Sequence, residues 1–159
     1  MDFLAIRCPG DVPPCQLTGL VRLTWAATDV FGLIAATVDG FSDCRDLPAD
    51  ASAGLQRLRA LAADRHASAP RRGGFLRAVR PEAPTNMAVE VELRGTDREV
   101  VTAFAPYSIH AELVDESGAV LLVLHDSGTA VSLSVAKPAL VRPTLELLDQ
   151  EAAAFERPV

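Results

Sequence analysis

Residues 108–135 read SIHAELVDESGAVLLVLHDSGTAVSLSV, and this stretch carries the pattern that decides the fold. Asp115-Glu116-Ser117-Gly118 and Ser127-Gly128 are turn-forming, and the apolar residues around them alternate. A four-residue loop at 115–118 sets Ile109 opposite Leu124, Ala111 opposite Leu122 and Leu113 opposite Val120. A two-residue turn at 127–128 sets Leu124 opposite Val131, Leu122 opposite Leu133 and Val120 opposite Val135. All of these residues then share one face. A slip of one residue in either turn would send a strand's apolar set to the other side, so the agreement argues for a three-stranded antiparallel meander. Its second face carries Ser108, His110, Glu112, Leu121, Val123, His125, Ala130, Ser132 and Ser134, a mixed set that predicts partial cover.

The segments before the meander extend it. Residues 87–94 alternate, with Met87, Val89, Val91 and Leu93 one way and Glu90, Glu92 and Arg94 the other, as in a half-buried strand. Residues 98–105 are read as a second strand, because Val100, Val101 and Thr102 are β-branched in succession. A helix is the rival there: Thr96-Asp97-Arg98-Glu99 fits a capping box, and Val100, Val101 and Phe104 fit one helical face. Residues 17–27 and 30–39, joined at Thr28-Asp29, are read as a hairpin that places Trp25 opposite Gly32, Leu23 opposite Ile34 and Val21 opposite Ala36. A helix from Asp29 is the rival, since Val30, Phe31, Ile34, Ala35 and Val38 also fit a 3.6 period.

Two amphipathic helices complete the pattern. Over 50–66, Asp50 is a candidate cap, and Leu55, Leu58, Leu61 and Ala62 form a stripe that leaves Gln56, Arg57, Arg59 and Asp64 outside. At the C-terminal end, Pro143 suits a first turn, and Leu145, Leu148, Ala152 and Phe155 form the stripe, broadened by Leu147. This second helix is long enough to cover the meander. Residues 67–86 hold Pro70, Pro81, Pro84 and Gly73-Gly74 and read as a long flexible loop. Residues 1–16 read as a short strand and a proline-rich turn. The expected fold is therefore α+β over residues 1–159: a mainly antiparallel sheet with two amphipathic helices on one face.

Composition sets the outer limits of function. The chain has 159 residues, 49% of them hydrophobic and 23% charged, which excludes wholesale disorder and a fibrous protein. A formal net charge of −6 argues against general nucleic-acid binding. Met1-Asp2-Phe3-Leu4 lacks the basic start of a signal peptide, and Trp25 to Val38, broken by Asp29, falls short of a membrane span. The three cysteines, Cys8, Cys15 and Cys44, are odd in number and lack zinc-knuckle spacing. Reduced thiols in a cytoplasm follow. A single lysine among many arginines, with abundant alanine, fits a GC-rich bacterial genome.

The residues that could carry chemistry are few. His110 and His125 fall on the meander's second face as diagonal neighbours, with Glu112 nearby, a group able in principle to hold a metal or move a proton. A half-solvated sheet face carries such residues without any site, and no spacing fixes a further ligand. Ser108, His110 and an acid do not make a hydrolase triad, since GxSxG is absent. Arg71, Arg72, Arg77 and Arg80, beside Gly73-Gly74, give the long loop a positive charge suited to a phosphate or an acidic partner, without the P-loop motif. A solvated loop explains the same charges. Trp25 and Tyr107 are the natural wall residues of a ligand pocket. No motif indicates a cofactor or a metal, and none identifies a reaction. The leading expectation is a non-catalytic protein-binding module that self-associates, with an unknown protein partner and neither nucleic acid nor membrane. The alternative is a small-ligand domain with a pocket between sheet and helices; an enzyme using the histidine face comes last.

Overall fold

The computed structural model describes residues 3–7, 17–41, 46–68, 86–125, 127–135 and 137–155. In chain order these form β1 (Phe3–Arg7), α1 (Leu17–Phe31), β2 (Ala35–Phe41), α2 (Ala49–Ser68), β3 (Asn86–Glu92), α3 (Gly95–Phe104), a 3₁₀ turn (Ala105–Tyr107), β4 (His110–Val114), β5 (Val120–His125), β6 (Ala130–Ser134) and α4 (Pro138–Phe155). The fold is α+β. One six-stranded sheet runs β1-β6-β5-β4-β2-β3, with every neighbouring pair antiparallel.

Period-2 alternation builds the sheet's covered face. In register across the strands lie Val91, Ala36, Leu113, Leu122 and Leu133, and beside them Val89, Val38, Ala111, Leu124 and Val131. All ten are buried. Burying each valine or leucine side chain among them contributes about 1.5–3 kcal/mol, so these two rows form the centre of the core.

The second meander turn takes the expected form. Leu124 pairs with Val131 and Leu122 with Leu133, and both Ser127 and Gly128 are left-handed, at φ 55° and 88°. The first turn differs. Ala111 pairs with Leu124 and Leu113 with Leu122, a register two residues from the expected one. Asp115 and Ala119 close a longer loop, with Gly118 at φ 76° donating its N–H to the Asp115 carbonyl (2.9 Å). A further irregularity between Leu113 and Val114 adds the second step. Asp115 organises the loop: one carboxylate oxygen accepts from the Ser117 and Ala119 N–H groups and the Ser117 hydroxyl, the other from Lys137 Nζ at 2.9 Å. These bonds, from Ser117 first and then Lys137, hold its carboxyl well below the usual range.

Two segments expected to be strands are helices. Residues 17–31 form α1, not half of a hairpin, and the helix starts well before Asp29. Leu20, Leu23, Thr24, Ala27, Thr28 and Phe31 are buried at helical spacing, a longer stripe than the hairpin could hide. The buried threonines satisfy their hydroxyls by bonding back to the carbonyls of Leu20 and Thr24, both at 2.7 Å. Gly32 ends the helix at φ 61°. Its N–H bonds to the Asp29 carbonyl and that of Leu33 to Thr28, a Schellman arrangement. Gly32, which the hairpin reading sets opposite Trp25, is therefore the helix's stop signal. Residues 98–105 lie in α3 and the following turn, where burial of Val101, Thr102, Ala103 and Phe104 outweighs the β-branched preference. The Thr96–Glu99 capping box is not used, because the helix begins at Gly95, with Arg94 at its N-cap.

The expected helix over 50–66 is present as α2, with Ala51, Leu55, Leu58 and Ala62 buried. Asp50 sits in its first turn rather than capping it. The C-terminal helix begins earlier than expected, at Pro138, which places Pro143 inside it. Among its described side chains Leu147 and Thr144 are buried and Leu140 partly buried, whereas Leu145 is exposed; the side chains of Leu148, Ala152 and Phe155 lie outside the described ones. α4 packs against α1 and β6, and α1 rests on β5, so the cover of the meander is shared. Among the described residues there are thus four helices where two were expected.

Candidate functional site

α3 lies between α1 and α2, and the cleft it leaves is the candidate site. Toward α2 the approach is close. A Cβ on Gly54 would stand 2.1 Å from the Val100 carbonyl oxygen and 2.6 Å from Phe104 Cβ, so only glycine fits there. Arg57 of α2 donates two hydrogen bonds to Asp97 of α3, at 2.6 and 2.8 Å, which holds the Asp97 carboxyl below its ordinary range. Toward α1 the contact is propped by larger groups. The Arg98 guanidinium lies 5.8 Å from the Trp25 ring centroid and pairs with Asp29.

Between these contacts opens a cavity of about 550 Å³, lined by Val21 and Trp25 of α1, Pro48, Asp50 and Ala51 at the start of α2, Glu99, Val100 and Ala103 of α3, and Tyr107. This volume suits a small organic ligand. Trp25 and Tyr107, singled out as wall residues from the sequence, both line it. The cavity lies among helices, however, and not between sheet and helices, and Trp25 reaches it from a helix rather than from opposite Gly32. Sequence reasoning missed Asp50 and Glu99 as lining groups. The sequence offers Asp50 as a candidate cap and Glu99 only as part of a rival capping box, and the packing of three helices puts both in the lining. Burial raises the Tyr107 phenol above its ordinary value, so its hydroxyl stays protonated at neutral pH.

The histidines lie elsewhere, on the second face of the sheet. His110 and His125 are directly opposite on β4 and β5 rather than diagonal, a consequence of the two-residue register difference. Their ring centroids are 5.6 Å apart and tilted by 59°. Each Nε2 has its own partner, Glu112 Oε1 or Ser132 Oγ, both at 3.1 Å. Among the described residues no group of three acidic, histidine or cysteine side chains is placed to hold a metal ion. Ser108 is buried and donates its hydroxyl to the Ala105 carbonyl at 2.6 Å, so it finishes the 3₁₀ turn and forms no triad. The expected partial cover of this face is seen at Leu121, Val123 and Ser134, which are buried.

Arg71, Arg72, Arg77 and Arg80, like Cys8, Cys15 and Cys44, lie outside the described residues. Among the described residues, no helix is long and apolar enough to cross a membrane. In comparisons with known proteins, no family model matches the chain, and neither a curated protein nor a solved structure matches it.

Proposed function

We propose that this protein is a non-catalytic binding domain that takes a small organic molecule into the cleft between α1, α2 and α3. One observation carries the reading: a cavity of about 550 Å³ whose wall combines Trp25 and Tyr107 with Val21, Ala51, Val100 and Ala103. Aromatic and aliphatic walls with a few polar groups are what ligand sites share. Trp25 is the only tryptophan in the chain, so its emission reports on the cleft alone. A panel of small aromatic and aliphatic metabolites should include members that shift this emission saturably and raise the melting temperature. The same compounds should lose their effect in Ala103→Phe, which fills the cavity without adding a second tryptophan. Stabilisation that survives the filling would place the ligand elsewhere.

A second reading, protein binding by self-association, rests on α4. Val141 and Leu145 lie one turn apart on that helix and are 40% and 48% exposed. Paired apolar exposure of this kind suits an interface between two copies. Sedimentation over a range of concentrations should show a dimer that Leu145→Glu dissociates. A wild-type monomer at every concentration would refute it.

A further inference from the structure

We propose that β3 is a docking edge for the β3 of a second copy of this chain, which joins two six-stranded sheets into one continuous sheet. The proposal is independent of the cleft and uses a different surface from the exposed pair on α4. β3 ends the sheet beyond β2, and among the described residues no strand pairs with its outer side. An open strand edge is a template for another strand, and proteins commonly blunt it with a proline, a bulge or a very short strand. β3 has none of these. It runs for seven residues without a proline, and its register with β2 is unbroken from Asn86 to Glu92. Its only charges are Glu90 and Glu92, and they select a register rather than forbid pairing.

Backbone direction fixes which groups face outward. Leu93 donates its N–H to the Ile34 carbonyl at 2.8 Å. Successive residues of a strand point N–H and C=O to opposite sides. Val91, Val89 and Met87 therefore bond to β2, and Glu92, Glu90, Ala88 and Asn86 point away from it. A two-fold axis through Val89 pairs the strand antiparallel with its copy, Ala88 against Glu90 and Asn86 against Glu92. Each of these positions offers an outward N–H and C=O, so every pair can exchange both bonds. No glutamate then lies opposite a glutamate. Moving the axis to Glu90 sets that residue against its own copy, which is unfavourable. Moving it to Ala88 leaves Glu92 without a partner inside the strand. One register therefore pairs the whole strand and also keeps the glutamates from facing one another. Ala88, Glu90 and Glu92 are exposed, whereas Val89 and Val91 are already buried, so the main chain supplies the attraction.

Amide hydrogen exchange in the full chain reads this alternation directly. The N–H groups of Val89 and Val91 should be protected at every protein concentration. Those of Ala88, Glu90 and Glu92 should become protected only as concentration rises. Ala88→Pro removes an outward donor without touching the β2 ladder. It should abolish the protection of Glu90 and Glu92 and leave that of Val89 and Val91. Ala88→Glu, opposite Glu90 of the copy and repeated by symmetry, should raise the midpoint concentration about fivefold, and Ala88→Lys should lower it about as much. Leu145→Glu, the variant that tests the α4 reading, should leave the protection of these amides unchanged. The proposal is overturned if Ala88, Glu90 and Glu92 exchange rapidly at every concentration in a protein that associates, which leaves α4 as the interface. It is also overturned if they are protected in the monomer, since a segment of the same chain would then cover the edge. A wild-type monomer at every concentration overturns both this proposal and the α4 reading.

Discussion

α3 meets α2 and α1 in two different ways. Against α2 the helices are so close that one missing side chain, at Gly54, makes the contact possible, and Phe104 fills what remains. Against α1 the separation is held by Trp25 and Arg98, and a cavity remains beside them. The closed seam buries its surface in packing, and the open seam leaves part of its surface uncovered. A helix pinned firmly on one side can leave its other side open without losing its place.

Breaking the closed seam should cost most. Phe104→Ala removes a fully buried ring and should destabilise the protein by about 3–5 kcal/mol in urea unfolding. Gly54→Ala is the sharper probe because two effects oppose each other. Helix propensity alone would stabilise by about 1 kcal/mol. The clash with the Val100 carbonyl should reverse that sign and leave a net loss of about 1–3 kcal/mol. A stabilised Gly54→Ala protein would mean that the two seams are alike. On the open side, Trp25→Ala should cost less, about 1–2 kcal/mol, since that side chain is only half-buried. A loss equal to that of Phe104→Ala would show that the cleft wall carries the fold.

The Arg57–Asp97 latch should give the smallest effect, and its signature is pH dependence. Arg57 lowers the Asp97 carboxyl below its unfolded value. The stability this contributes is present above the ordinary carboxylate range, about pH 4, and is lost as pH falls through the lowered value. Asp97→Asn should therefore lower the urea midpoint near neutrality and leave it unchanged in strong acid. A uniform loss at all pH would assign the residue a packing role instead.

Where one hydrophobic period dominated, the sequence was readable. Val89, Val91 and Leu93 alternate without a competing helical pattern, and they lie where period 2 puts them. The Leu55–Leu58–Ala62 stripe was equally plain. Residues 17–31 were not, because Leu20, Leu23, Ala27 and Phe31 at helical spacing are interleaved with Val21, Trp25 and Ala26, which also satisfy a strand. The deciding signal was Gly32 as a helix stop, and it was visible in the sequence. The cleft was half visible. Aromatic residues announce themselves as wall material, but carboxylates acquire meaning only when separate helices bring them to one rim. Nothing local marks Asp50 and Glu99 as neighbours.

The first meander turn also sets a rule for length. The faces of a sheet are a matter of odd and even, and two irregularities, one in the loop at Gly118 and one between Leu113 and Val114, sum to an even step. The leucines stay inside although their partners change. The hairpin should therefore accept two extra residues near Ser117 far better than one. A single insertion would invert β4 against its neighbours, carrying His110 and Glu112 into the core and Leu113 into water, whereas a pair would only exchange one buried partner for the next.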